Sequence, residues 1–332
     1  MSIGCCFMAG LRRVLRSPAL IFWIFATSLL LTLPLTVAMR NAIKQSVGTS
    51  LVQQNLRQGL DMDWLGEFLS QGDGIRGTFG PRVVGFLPVL INLDKLLDGR
   101  IFSAELGISI AGMLFLLVWA FFGGGILSRY ARPEKLYTRS TFFADSGEYF
   151  LRFVRLVILS ILVYLALYQW VAAPLFRLID RLTRDTPAEI PEMVYSGLVF
   201  LLLAFLLMIL SMAMDYAKIA MVVENRRSSI LAFLRGLRFV FSNKLKSLGL
   251  YLLLILVGVI LFGIYGLLAP GPNQANDFTL IVAFIGGQVF LIARLILKLW
   301  FLAGQTMLFQ SVTGPEAITA MGTPAAASLF LS

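Results

Sequence analysis

Apolar residues in this chain gather into six long stretches, at residues 18–38, 106–127, 156–176, 194–214, 247–268 and 278–302. Each reaches the roughly 20 residues that carry a helix across about 30 Å of hydrocarbon. Inside lipid every backbone N–H and C=O needs a partner within the protein, so all six are expected to be helices. The pattern predicts an all-α fold, a polytopic transmembrane helix bundle forming a single integral membrane domain over residues 1–332.

The connections between these stretches are expected to be short helices. Residues 40–104 are mostly helix-compatible, with seven basic and seven acidic residues from Arg40 through Glu105, and predict a small helical periplasmic cap. Asp61 and Asp63 are candidate N-caps for a helix through Trp64, Leu65, Phe68 and Leu69. The glycines of Gly72-Asp73-Gly74 break it, and Val83–Ile91, which carries Pro88, is too short to span and suits the interface.

Two links carry a basic amphipathic pattern. Before the third stretch, Asp145 and Glu148 have the spacing of a capping box; Tyr149, Phe150, Phe153 and Leu156 then share one face, with Arg152 and Arg155 on the other. Before the fifth, Ser228 and Ser229 are candidate caps, and Ile230, Phe233, Leu234, Leu237 and Phe241 form an apolar stripe flanked by Arg235 and Arg238. Asn243 separates this helix from the next span. Both links predict interfacial helices. Their shared order fits either a duplication of helices 2–3 and 4–5 or the ordinary form of a link between spans.

Charge orients the bundle. Arg12, Arg13 and Arg16 precede the first span; Arg129, Arg132, Lys135, Arg139, Arg152 and Arg155 join the second to the third; Lys218, Arg226, Arg227, Arg235, Arg238, Lys244 and Lys246 join the fourth to the fifth. The opposite connections are neutral or acidic, with Asp180, Asp185, Glu189 and Glu192 between the third and fourth spans. The positive-inside rule then puts both termini in the cytoplasm. The net charge of +10 is thereby explained by topology, which argues against a nucleic-acid partner and for anionic headgroups on the cytoplasmic side. Cys5 and Cys6, the two cysteines, precede the first span and are expected to be reduced. The first span is longer than a signal-peptide core and is expected to stay as an anchor.

Catalytic chemistry has little to stand on. The chain has no His, which removes His-based zinc sites and Ser–His or Cys–His catalysis. Gly123-Gly124-Gly125 lacks the Lys of a phosphate loop and suits close helix packing. Asp61 and Asp63 lack the further ligands of a calcium loop. No metal and no cofactor is expected. The polar residues that attract notice are charges at one end of the bundle: Asp215, Lys218 and Glu224 after the fourth span, and Arg294 and Lys298 in the sixth. A charge at that depth faces protein, water or a partner, and Asp215 with Arg294 is the expected pair. The group reads either as a headgroup or anion site or as snorkelling side chains with a structural ion pair.

The strings Gly124–Arg132, Phe142–Leu156, Asp215–Ser228 and Ile285–Gln310 resemble a group of hypothetical bacterial multi-pass proteins, which implies an inner-membrane location and no mechanism. More loosely, a span ending in Asp215-x-Ala217-Lys218, then an amphipathic helix and another span, is similar to the membrane domain attached to some glycerophosphodiester phosphodiesterases, without their catalytic part. The expected function is non-enzymatic: a membrane-embedded accessory subunit that binds anionic lipid or a protein partner through Arg152, Arg155, Arg235 and Arg238. A transporter for a lipid or small anion, using the Asp215/Arg294 region, is the alternative. An intramembrane enzyme would have to use Asp215 or Glu224 as acid–base group.

Overall fold

The computed structural model describes residues 2–47, 62–70, 106–132, 138–183, 189–269 and 277–320. The expected Asp61 cap, the segment 83–91, and most of the predicted cap region lie outside these. All the described elements are helical: α1 (Ile3–Leu15), α2 (Pro18–Val47), α3 (Met62–Ser70), α4 (Leu106–Ala131), α5 (Arg139–Leu167), α6 (Ala173–Thr183), α7 (Glu189–Val223), α8 (Ser229–Ser242), α9 (Lys244–Leu268) and α10 (Asp277–Ala320). A π-helical turn, Tyr168–Ala172, joins α5 to α6.

Six of these runs are long and apolar enough to cross a membrane: Pro18–Val47, Ala111–Ala131, Arg139–Ile179, Val194–Val223, Lys244–Leu268 and Phe278–Gly314. Each contains most of one expected span, and several run on beyond it. Hydroxyls inside α2 return their hydrogen bonds to the backbone a turn earlier, Thr27 Oγ1 to the Trp23 carbonyl and Ser28 Oγ to the Ile24 carbonyl, both at 2.8 Å. That satisfies the polar groups an apolar surrounding would otherwise penalise.

The chain divides into two compact units. The first comprises Met1–Arg16, Trp119–Leu254 and Leu299–Ser332. Its centre is the end of α7, where Met212, Ala213, Met214, Tyr216, Ala217 and Ile219 through Val222 are all buried. A helix apolar on most sides there is enclosed by neighbours on those sides, with Asp215 and Lys218 on the partly open one. Tyr216, Phe239 of α8 and Phe309 of α10 form one aromatic group, with ring centroids 4.6 Å and 4.9 Å apart along the chain of contacts Tyr216–Phe239–Phe309. Gly123, Gly124 and Gly125 of α4 do what their composition predicts: a Cβ on Gly124 would lie 2.9 Å from the Tyr149 Cβ, and one on Gly125 would collide with Phe142 and Ser146.

The second unit comprises Ser17–Val118 and Ile255–Lys298. The expected helix around Trp64 is present as α3, and Trp64, Leu65 and Phe68 bury themselves against Ala42, with Met39, Ile43 and Val47 alongside. The Trp64 indole N–H donates to Ser46 Oγ at 3.1 Å. α2 therefore extends past residue 38 because its last turns have a helix to pack on. Tyr265 stacks on Phe290 with centroids 4.0 Å apart, tying α9 to α10 within this unit.

The structure adds one local element and corrects two expectations. The segment before the first span is α1, a helix whose small residues Cys6, Gly10 and Val14 face inward at four-residue spacing. Asp145 is not a cap: it sits buried in the second turn of α5, whose N-cap is Thr138, paired with Thr141 in a reciprocal capping box. The helix leading into the third span is not separate from it, since α5 runs unbroken from Arg139 to Leu167.

The face that α8 turns to the protein is distinct from its predicted apolar stripe. The predicted apolar stripe is Ile230, Phe233, Leu234, Leu237 and Phe241, whereas the residues buried against protein are Ser229, Ala232, Gly236, Phe239 and Val240. Ile230, Leu231, Leu234 and Phe241 are at least half exposed. The helix packs through its small side because Gly236 lets it meet α7 backbone to backbone: a Cβ there would lie 2.8 Å from the Ala217 nitrogen and clash with the Ala213 carbonyl. Its large apolar side chains are left facing outward.

Candidate functional site: a basic corner at the α7–α8 turn

The five residues between α7 and α8, Glu224-Asn225-Arg226-Arg227-Ser228, organise the charged residues of the first unit. Asn225 takes the left-handed conformation, with φ of 50°, which Asn tolerates better than most side chains. Ser228 caps α8, its Oγ accepting from the Leu231 N–H, as expected. The turn is then tied on both sides. The Glu224 carboxylate accepts from Arg226 Nε and, at 3.0 Å, from Arg235 Nε one helix on. Asn225 Oδ1 accepts from Arg152 Nη1 of α5 at 2.6 Å, and the same guanidinium lies 3.7 Å from Glu148 and over the Tyr149 ring.

These contacts sort the four arginines expected at the interface into two kinds. Arg152 and Arg235 are turned toward the protein and hold the turn. Arg155 and Arg238 are exposed, as is Arg227, and among the described residues none of the three has an ion-pair partner. Every carboxylate with a described ion pair near the turn is already engaged, Glu148 by Arg152 and Glu224 by Arg226 and Arg235. The corner is left with surplus positive charge.

Asp215 forms its ion pair with Lys218, 2.9 Å away on the next turn of α7. Its side chain is largely buried and that of Lys218 is more than a third exposed. The expected partner Arg294 belongs, with Lys298, to the second unit, where Arg294 is exposed. Among the described residues no three His, Cys, Asp or Glu side chains approach closely enough to hold a metal ion. Cys5 is exposed and Cys6 buried, and burial pushes the Cys6 thiol above its ordinary range.

Sequence reading missed several polar groups packed in the first unit. The hydroxyls of Ser128, Tyr130, Ser146 and Tyr216 and both side-chain atoms of Gln305 are buried without a hydrogen-bond partner among the described residues. A buried donor or acceptor left unpaired costs about 1–3 kcal/mol, whereas an apolar group of the same shape costs nothing of the kind. Gln305→Met is accordingly expected to raise the melting temperature of the detergent-solubilised protein. A lowered melting temperature would show that the amide is bonded to something beyond the described residues, and would make Gln305 a ligand contact.

No protein-family model matches this chain, and comparison with curated proteins and with solved structures finds no match either. No activity is therefore carried over from a relative.

Proposed function

We propose that this is a non-enzymatic, multi-pass protein of a bacterial inner membrane, with both termini cytoplasmic, which binds anionic lipid on its cytoplasmic side. It acts as an accessory subunit whose α5 and α8 present that surface. The observation that carries this reading is the composition of the outward side around the α7–α8 turn. Arg155, Arg227 and Arg238 stand there beside the outward Ile230, Leu231, Leu234 and Phe241. Cationic groups next to large apolar side chains match the boundary between headgroups and acyl chains. Arg152, Arg155, Arg226, Arg227, Arg235 and Arg238 at this corner are among the basic residues that the positive-inside rule assigns to the cytoplasm.

The test is purification of the full chain in mild detergent, with mass spectrometry of the lipids and proteins that accompany it. Anionic phospholipid enriched over its share of the source membrane is the expected result. Replacing Arg155, Arg227 and Arg238 together by Gln should reduce binding to vesicles containing phosphatidylglycerol by about a hundredfold, since each basic side chain near an anionic surface contributes roughly 1 kcal/mol. Lipid present only in bulk proportion would overturn the reading. Retention of a small soluble anion in place of lipid would favour transport.

A further inference from the structure

The geometry points to one defined phospholipid site within this basic corner, a deepening that rests on the lipid-binding reading above. Between α5 and the start of α8 lies an open groove of about 520 Å³. Its volume falls in the range of roughly 300–1,000 Å³ common to ligand pockets. Two kinds of residue line it, and they are separated along α5. Arg155 and Arg227 stand at one end, while Ile158, Leu159 and Leu162 continue away from them, with Ile230 on the facing side. Leu162 lies seven residues beyond Arg155 along unbroken helix, a rise of about 10 Å.

This arrangement matches one anionic phospholipid. The phosphate diester would sit between the two guanidiniums, and one acyl chain would lie along Ile158, Leu159 and Leu162. Charge supports the polar half. Neither Arg155 nor Arg227 has an ion-pair partner among the described residues, while Arg152, Arg226 and Arg235 are occupied by Glu148 and Glu224. The first turn of α8, a helix of fourteen residues, begins beside the same end of the groove and adds its partial positive charge. The groove wall supports the apolar half, and it is what distinguishes a lipid from a free phosphate. Ile158 and Leu162 are more than half exposed although they lie in a span, so a hydrocarbon chain seats on them without displacing protein contacts.

The experiment is native mass spectrometry of the full chain released from nanodiscs containing phosphatidylglycerol and phosphatidylethanolamine. The wild-type protein is expected to keep one phosphatidylglycerol at collision energies that strip the rest. Arg155→Gln with Arg227→Gln should lose that one-to-one adduct. Lys244→Gln with Lys246→Gln removes the same charge at exposed positions outside the groove and should keep it. Leu162→Trp, at a position more than half exposed, should fill the apolar end and lose the adduct with both arginines present, the melting temperature checking that the variant is folded. Glycerol 3-phosphate supplies the headgroup without the chain; failure to compete at millimolar concentration is expected, and effective competition would overturn the lipid assignment in favour of a phosphate site. If the two double charge variants lose lipid equally, the defined site is wrong and the broader lipid-binding reading stands. If wild-type protein keeps no anionic lipid at all, the broader reading falls with it.

Discussion

Gly236→Leu is expected to destabilise the protein more than any other single substitution in α8. A side chain at this position has no room to form, because the backbone of α7 at Ala213 and Ala217 occupies the space where Cβ would go. Overpacking a core typically costs about 1–3 kcal/mol by displacing flexible side chains. Here the obstacle is backbone, so α8 has to move off α7 as a body, and the cost belongs at the top of that range. The consequence reaches further than the contact. Phe239 lies one turn on from Gly236 and packs against Tyr216 and Phe309, and Arg235 immediately before it bonds Glu224. Displacing α8 loosens all three. A fall in melting temperature of about 4 °C follows from a loss of about 3 kcal/mol in a chain of this size. Gly147 provides the internal comparison. It is helical and exposed in α5, and a Cβ there meets nothing within 4 Å. Gly147→Ala should therefore raise stability by about 0.5–1 kcal/mol through helix propensity alone. If the two substitutions shift the melting temperature in the same direction, close packing is not what holds α8 in place.

Replacement of Glu224 by Leu should be the most damaging change of a charged residue. Its carboxylate is 14% exposed and accepts from both Arg226 and Arg235. Removing it leaves two guanidiniums facing each other across the turn. Breaking a fully buried pair costs about 3–5 kcal/mol, and an exposed pair about 0–1. Arg235 is 23% exposed and Arg226 38%, which places the expected loss between those limits, near 2 kcal/mol. The same change should alter how the turn holds α5, because Asn225, the neighbour of Glu224, carries the hydrogen bond from Arg152. Adding Arg235→Met to Glu224→Leu should recover part of the loss, since removing both partners leaves less unpaired charge than removing one. Thermal unfolding of the two single variants and the double variant measures this directly. A Glu224→Leu protein that melts with the wild type would mean that the paired charges contribute nothing to holding the turn.

Much of the architecture was legible from periodicity, and the reason is physical. A backbone surrounded by hydrocarbon has to be helical, so length and apolarity alone give the number and approximate position of the six apolar helices. Polar breaks such as Ser228 and Asn243 mark helix ends because their side chains compete for backbone hydrogen bonds, and both were found where expected. α1 was harder to read. Its inward face is Cys6, Gly10 and Val14, a row of small residues with little hydrophobic contrast against exposed Met8 and Leu15. Asp145 has the spacing of a cap along the chain, and only the structure shows that the helix has already begun at Thr138 and that Asp145 is packed within it.

The sequence by itself determined that the chain is helical, that six helices are long enough to span, and where the basic residues collect. The tertiary structure decided which side of each helix faces protein. That side was hidden because a large apolar side chain leaving lipid for a protein contact gains little, so hydrophobicity does not select the inward face. Close approach selects it instead, through Gly10, Gly124, Gly125 and Gly236, and approach is a property of two helices together. The same holds for the arginines. Arg152, Arg155, Arg235 and Arg238 look equivalent along the chain, and only the positions of Glu148, Glu224 and Asn225 in space decide that two of them hold the fold together while the other two remain outward.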